Sequence, residues 1–331
     1  MTALRILFLG GTGTISTACV RAAAAAGHDV TILNRGTRDR PLPDGIRQII
    51  GDVRDADSLR AAIGDDRYDV VADFLSFVPA HVTTVLDAVE GRTGQYIYIS
   101  SASAYEKPAR YLPITESTPL RNPFWQYSRD KIACEDLLVA AHRDRALPVT
   151  IVRPSHTYSE ASIPTIGHWT DIARMRAGKP VVVHGDGTSL WTLTHADDFA
   201  VAFTGLLGNP AAIGDAFTIT GTHAPTWNQI YSWLADAAGV APQLVHIASD
   251  TLAAWEPELG PTLIGDKAHS AVFDVSKITR LAPDFRTTIT FDEGARRIIA
   301  HHDAHTELQR VDADLDALFD RMIAHARSAG A

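Results

Sequence analysis

"LFLGGTGTISTACVRAAAAAG", residues 7–27, decides how the rest of the chain is read. A short apolar run enters Gly10, Gly11 and Gly13, and a helical pattern leaves them. A strand that turns directly into a helix needs residues that tolerate positive φ and let a pyrophosphate approach the backbone. The start of the helix, at Thr14 and Ile15, then offers free N–H groups and a favourable dipole to a phosphate. Ser16 stands where the dinucleotide fingerprint has its third glycine, and is small enough to fit. Ala22–Ala26 give the helix a small face for packing on a sheet. The stretch reads as a dinucleotide-binding strand–turn–helix.

Strand and helix signals alternate beyond it. Near-continuous apolar runs at 5–10, 29–34, 46–52, 69–74, 95–100 and 148–153 read as strands covered on both faces. Helical patterns fall between them at 16–26, 56–63, 80–90 and 127–143. Such βαβ spacing predicts an α/β fold, a Rossmann-type doubly wound parallel sheet. The sequence divides into a nucleotide-binding domain over 1–155 and a smaller α/β substrate-binding lobe over 156–331. Segments around 181–220 are expected to return to the first domain. Thr226 and Gly239 bracket a further helix as N-cap and terminator. The tail from residue 312 is amphipathic and reads as a closing helix.

The 331 residues carry a net charge of −9 with both signs interspersed, and no basic stripe of the kind nucleic-acid binders show. No stretch approaches the roughly 18 apolar residues of a membrane span. Two cysteines, Cys19 and Cys134, sit in apolar helical patterns, as free thiols of a reducing compartment would. A cytoplasmic protein without nucleic-acid or membrane partners is expected. His301, His302 and His305 lack a recognised metal-ligand spacing and read as a solvated helix segment, so no metal is expected.

The end of the second strand bears on the dinucleotide. An acidic residue there would bond a ribose 2′-hydroxyl and repel a 2′-phosphate. The chain instead has Asn34, Arg35 and Arg38, a charge pattern that favours NADP, with NAD as the alternative. Asp52 and Val53, after the third strand, are expected at the adenine, and Leu75, after the fourth, along the cofactor. "WQYSRDKIACEDLL" (125–138) places Tyr127 and Lys131 one helical turn apart on one face. A free tyrosine, with pKa about 10, is a poor base. A nearby ammonium and the positive nicotinamide ring would favour its phenolate. A serine from "ISSASAY" (99–105) can then orient the substrate oxygen while Tyr127 moves its proton.

"GGTGTIS", "GDV", "ISSASAY", "YSRDK", "VRPSHTY", "GDGTSLWTLTHADD" and "FDVSKI" follow one another in an order that resembles extended short-chain dehydrogenases/reductases, in particular the NAD-dependent epimerase/dehydratase group. The resemblance covers nearly the whole chain. It implies Ser101, four residues before Tyr105, as the catalytic hydroxyl beside Tyr127 and Lys131. Pro154 and His156 are implied along the cofactor, and Ser76, Ser103, Trp125, His156 and Trp191 at the substrate. An epimerase or dehydratase acting on a sugar or nucleotide sugar through a transient keto intermediate is implied. A reductase of a keto-sugar or polyol using NADPH is the alternative, and a non-catalytic binding protein a third. Homodimerisation through the helices around 80–90 and 127–143 is implied as well. Two positions depart from the pattern. His156 replaces an asparagine, and Trp191 an arginine, that hold the nucleotide diphosphate in relatives. The "GDK" at 265–267 falls in the expected substrate lobe without a signature that assigns it.

Overall fold

A computed structural model describes residues 2–37 and 45–329. Seven parallel strands form the central sheet: β1 (Arg5–Leu9), β2 (Asp29–Asn34), β3 (Arg47–Ile50), β4 (Tyr68–Asp73), β5 (Thr93–Ile99), β6 (Val149–Pro154) and, from far along the chain, β10 (Asp215–Ile219). Their order is β10-β6-β5-β4-β1-β2-β3, so the order reverses between β1 and β4. Crevices at such a switch point, outside the carboxyl ends of the strands, are where ligands bind in open α/β sheets.

Helices α1 (Thr14–Ala25), α2 (Ala56–Ile63), α3 (Pro79–Val89) and α4 (Gln126–Arg145) connect the first six strands. One face of the sheet packs Ile6, Phe8, Val30 and Ile32 with Val20 of α1 and Phe199 and Phe203 of a later helix. The other packs Leu7, Leu9, Val71 and Tyr98 with Val82, Leu86, Cys134 and Leu138 of α3 and α4. Both cysteines are free and buried in these layers.

Short strands complete the rest: β7 (His156–Tyr158) pairs with β9 (Leu193–His195), and β8 (Val181–His184) with β11 (Leu244–Ile247). Of the segments between 181 and 220, only β10 therefore joins the main sheet. Thr226 caps the helix Trp227–Ala237 through a reciprocal capping box with Gln229, and Gly239 follows with φ 74°. The histidine segment differs from expectation. His302 is buried, its ring stacked on Trp169 at 5.0 Å, because the helix Phe291–Ala304 packs that face inward.

Candidate active site

Two concave regions open at the carboxyl edge of the sheet. The first runs over the glycine turn, lined by Gly10, Gly13, Asn34, Arg35, Asp52, Val53, Leu75 and Phe77. Positive φ belongs to Gly10 (110°) and Gly11 (109°) only. Gly13 has φ −87°, ordinary extended backbone, because it is the N-cap of α1. Its N–H donates to Ser16 Oγ at 2.9 Å, so Ser16 secures the helix start rather than simply filling a glycine's place. The first N–H groups of α1, on Thr14 and Ile15, have no acceptor within the helix. A Cβ on Gly11 would lie 2.8 Å from Ile32 Cγ2, and one on Gly10 3.5 Å from Leu75 Cγ. Positive φ at Gly10 and Gly11, directly before a helix N-terminus, fits a dinucleotide pyrophosphate.

At the adenosine end, Asn34 Oδ1 accepts from Gly36 N–H (2.8 Å) and Gln48 Nε2 (2.9 Å), which leaves its amide N–H groups for a ligand. Arg35 is exposed at the rim, and Arg38 lies outside the described residues. One Asp52 carboxylate oxygen accepts from Arg54 N–H at 3.0 Å.

The second region is a cavity of about 240 Å³ lined by Ser101, Ser103, Trp125, Tyr127, Pro154, His156, Trp191, Asp266, Lys267 and Phe273, among others. Pro154 and His156, expected along the cofactor, face this cavity and not the cleft over the glycine turn. The cause is the strand order, in which β5 and β4 separate β6 from β1 and its glycine turn.

Tyr127 sits in the first turn of α4, its ring 4.8 Å from that of Trp125 and 6.3 Å from that of Phe77. Burial raises its phenol pKa above the usual value; a hydrogen bond with Ser101 lowers it, and the Asp266 charge raises it. Ser101 Oγ and Ser103 Oγ lie 2.9 Å apart, and Ser128 Oγ donates to Ser103 Oγ at 2.8 Å. Lys131 differs from the expected picture. Its Nζ donates to the carbonyls of Ser76 (2.9 Å) and Ile99 (2.8 Å) and lies 5.8 Å from the centre of the Tyr127 ring. Burial pushes its pKa down to about 8, against the Asp73 charge.

Ser76 is the clearest correction at the substrate end. It is buried, its hydroxyl donates to Asp73 Oδ2 at 2.5 Å, and its carbonyl holds Lys131. It positions the lysine and does not reach the cavity. His156 and Trp191 act as a unit: Trp191 Nε1 donates to His156 Nδ1 at 3.0 Å. Burial pushes the His156 pKa down to about 3, with Lys267 and His168 adding to the effect, so the ring is neutral and its proton is on Nε2.

Sequence reasoning missed Asp266, Lys267 and Phe273 at the cavity, and Lys107 behind it. Asp266 pairs with buried Lys107 at 2.8 Å. The "GDK" triplet was the available signal, but its neighbours in space lie about 140 residues away in sequence, at Asn122 and Trp125.

Residues 6–220 match the NAD dependent epimerase/dehydratase family. The chain is 30% identical over 288 residues to the 2′-dehydrokanamycin reductase of Streptomyces kanamyceticus, covering 86% of this chain and 80% of that one. It is 29% identical over 256 residues to the chloroplast stem-loop binding protein of 41 kDa b of Arabidopsis thaliana, covering 73% and 65%. Among solved structures it is similar to an epimerase of Methanothermobacter thermautotrophicus, with TM-score 0.76, 17% identity, and 93% and 94% of the two chains covered.

The two turn glycines should separate folding from binding. Gly11→Ala forces a side chain onto positive φ and against Ile32, and should lower unfolding free energy in denaturant titration by roughly 1–3 kcal/mol. Gly13→Val, on extended backbone, should fold but lose dinucleotide binding in calorimetry. Unchanged affinity in the second variant would refute the assignment of the turn.

Proposed function

The chain belongs to the NAD-dependent epimerase/dehydratase family, and we propose that within it the protein is a reductase of a sugar carbonyl that uses an exchangeable nicotinamide cofactor. The observation that carries this reading is the hydrogen bond between Trp191 and His156. Where relatives of this sequence pattern grip a nucleotide diphosphate, this chain has a neutral imidazole and an indole bonded to each other. An epimerase must hold its substrate by a remote handle while the oxidised ring turns over, and that handle is missing its two phosphate-binding groups. A dehydratase needs a further free acid or base at the ring. Asp266, the one carboxylate among the described residues lining the cavity, is tied to Lys107. The likeness to the 2′-dehydrokanamycin reductase supports reduction as the type of reaction.

When bound, the nicotinamide supplies or accepts the hydride. The protein's own residues manage the proton. Ser101 holds the substrate oxygen, and Tyr127, whose raised pKa keeps it protonated through neutral pH, delivers a proton to the oxygen formed on reduction. Lys131 fixes the sheet edge through two carbonyls and places a buried positive charge behind the phenol, where it favours phenolate once the proton has gone. A binding protein without chemistry would have no use for a buried lysine and a desolvated tyrosine at this edge.

The absence of an acidic side chain after β2, and Arg35 at the rim, support NADP over NAD. Buried free thiols support a cytoplasmic location, and no described helix is long and apolar enough to cross a membrane. A homodimer through α3 and α4 fits the exposed Val139 on α4; light scattering at micromolar concentration should give twice the chain mass, and a monomer would end that proposal.

Purified protein should carry no stoichiometric NAD(H) by absorbance and mass spectrometry, and should consume NADPH one-for-one with keto-sugar reduced. Tightly retained NAD without net turnover would mean an epimerase. Arg35→Ala should weaken NADP by roughly ten- to hundredfold and NAD far less.

The pH profile tests the proton carrier. Reduction requires protonated Tyr127, so turnover should hold through neutral pH and fall as pH rises through the raised pKa. Ser101→Ala removes a contact that lowers that pKa, and should move the fall to higher pH. Tyr127→Phe should cut turnover by roughly 10²–10⁴ and abolish the limb. Near-normal turnover in this variant would reduce α4 to packing.

A further inference from the structure

Asp266 and Lys267 reach the cavity from a π-helical turn, Leu263–Lys267, closed by Ala268 N–H donating to the Leu263 carbonyl at 2.9 Å. Such turns recur at functional sites because they aim side chains that an α-helix would rotate away. This one is pinned throughout. Asn122 Nδ2 donates to the Gly265 carbonyl at 2.7 Å, and a Cβ on Gly265 would stand 2.9 Å from Trp125 Cβ. The Lys267 carbonyl accepts from His184 Nε2 (3.1 Å) and Ser189 Oγ (3.2 Å).

The charges around the turn do not balance. Two lysines, Lys107 and Lys267, flank one carboxylate, Asp266. Lys107 is buried and takes Asp266 at 2.8 Å. Lys267 lines the cavity, partly buried, and its Nζ has no ion pair or hydrogen bond among the described residues. The other titratable groups there, Tyr127, His156, His184 and His269, supply no counter-charge, because burial raises the phenol's pKa and lowers those of the three imidazoles. Burial and the neighbouring Lys107 lower the Lys267 pKa, against Asp266. A partly desolvated cation without a partner is costly, and a ligand anion relieves that cost.

We propose that Lys267 is a specificity residue that pairs with an oxyanion, a carboxylate or a phosphate monoester, carried by the sugar within the cavity shared with Tyr127. The inference rests on the sugar-reductase reading. In it, anion recognition rests not on a distant diphosphate clamp but on a single ammonium lining the same cavity as Tyr127. An amino-substituted sugar would instead meet repulsion.

The test is binding of four probes to the dinucleotide-loaded enzyme by calorimetry: D-glucuronate, glucose 6-phosphate, glucose and glucosamine. One of the two anions should bind at least tenfold more tightly than glucose, and which one identifies the oxyanion. Glucosamine should bind no better than glucose. Lys267→Met and Lys267→Gln should each erase the ratio of anion to glucose affinity while leaving dinucleotide affinity unchanged, and Lys267→Arg should restore part of it. The preference should be full below the lowered lysine pKa and be lost as pH rises through it. Equal affinity for all four sugars, or an anion preference that survives both neutral substitutions, overturns the proposal. With NADPH-dependent reduction intact, such a result leaves the reductase reading standing; loss of that reading would show instead as tightly retained NAD(H) without net consumption of NADPH.

Discussion

The ion pair between Glu135 and Arg153 is the constraint from which the active-site geometry follows. Both side chains are buried, at 2% and 8% exposure, so each has given up water and must be repaid within the fold. The carboxylate accepts from Arg153 Nη2 (2.6 Å) and Nε (3.0 Å), and also from the Ser100 hydroxyl. The guanidinium reaches on to the Tyr105 hydroxyl at 3.1 Å, which in turn lies 2.6 Å from Thr218 Oγ1. One network thus ties α4 to the ends of β5, β6 and β10. Breaking a buried pair of this kind by removing one partner typically costs about 3–5 kcal/mol.

The consequence for the site is rotational. Tyr127, Lys131 and Glu135 are spaced four apart and form one stripe on α4. With Glu135 clamped to the sheet, Lys131 falls on the carbonyls that end β5 and follow β4, and Tyr127 falls at the mouth of the cavity. A second buried acid supports the same edge. Asp73 accepts from the Leu75 and Ser76 N–H groups, the Ser76 hydroxyl and the Tyr96 hydroxyl, which fixes the loop whose carbonyl holds Lys131. The lysine is therefore set by backbone oxygens, with the rings of Tyr98 and Phe77 each centred 4.7 Å from Nζ.

The sequence by itself determined the sheet's first six strands, the glycine turn and the Tyr127–Lys131 spacing, because each rests on local signals: apolar runs, turn residues and helical periodicity. The apolar run at 215–220 reads as a strand, but its place at the sheet edge beside β6 was decided by the fold. Tertiary structure decided what a side chain's neighbours are. Ser76 looks like a free hydroxyl in sequence, and only the fold consumes it against Asp73. His302 looks like part of a solvated cluster, and only helix packing lays it on Trp169. His156 and Trp191, 35 residues apart, could each be read as a substituted phosphate ligand; their mutual hydrogen bond appears once β7 and β9 pair. The "GDK" triplet carried no periodicity or motif, and its position follows from a π-turn held by Asn122, His184 and Ser189, contacts that no local pattern encodes. Propensity and spacing act over a few residues, whereas burial, charge pairing and cavity shape arise from segments brought together by the whole sheet.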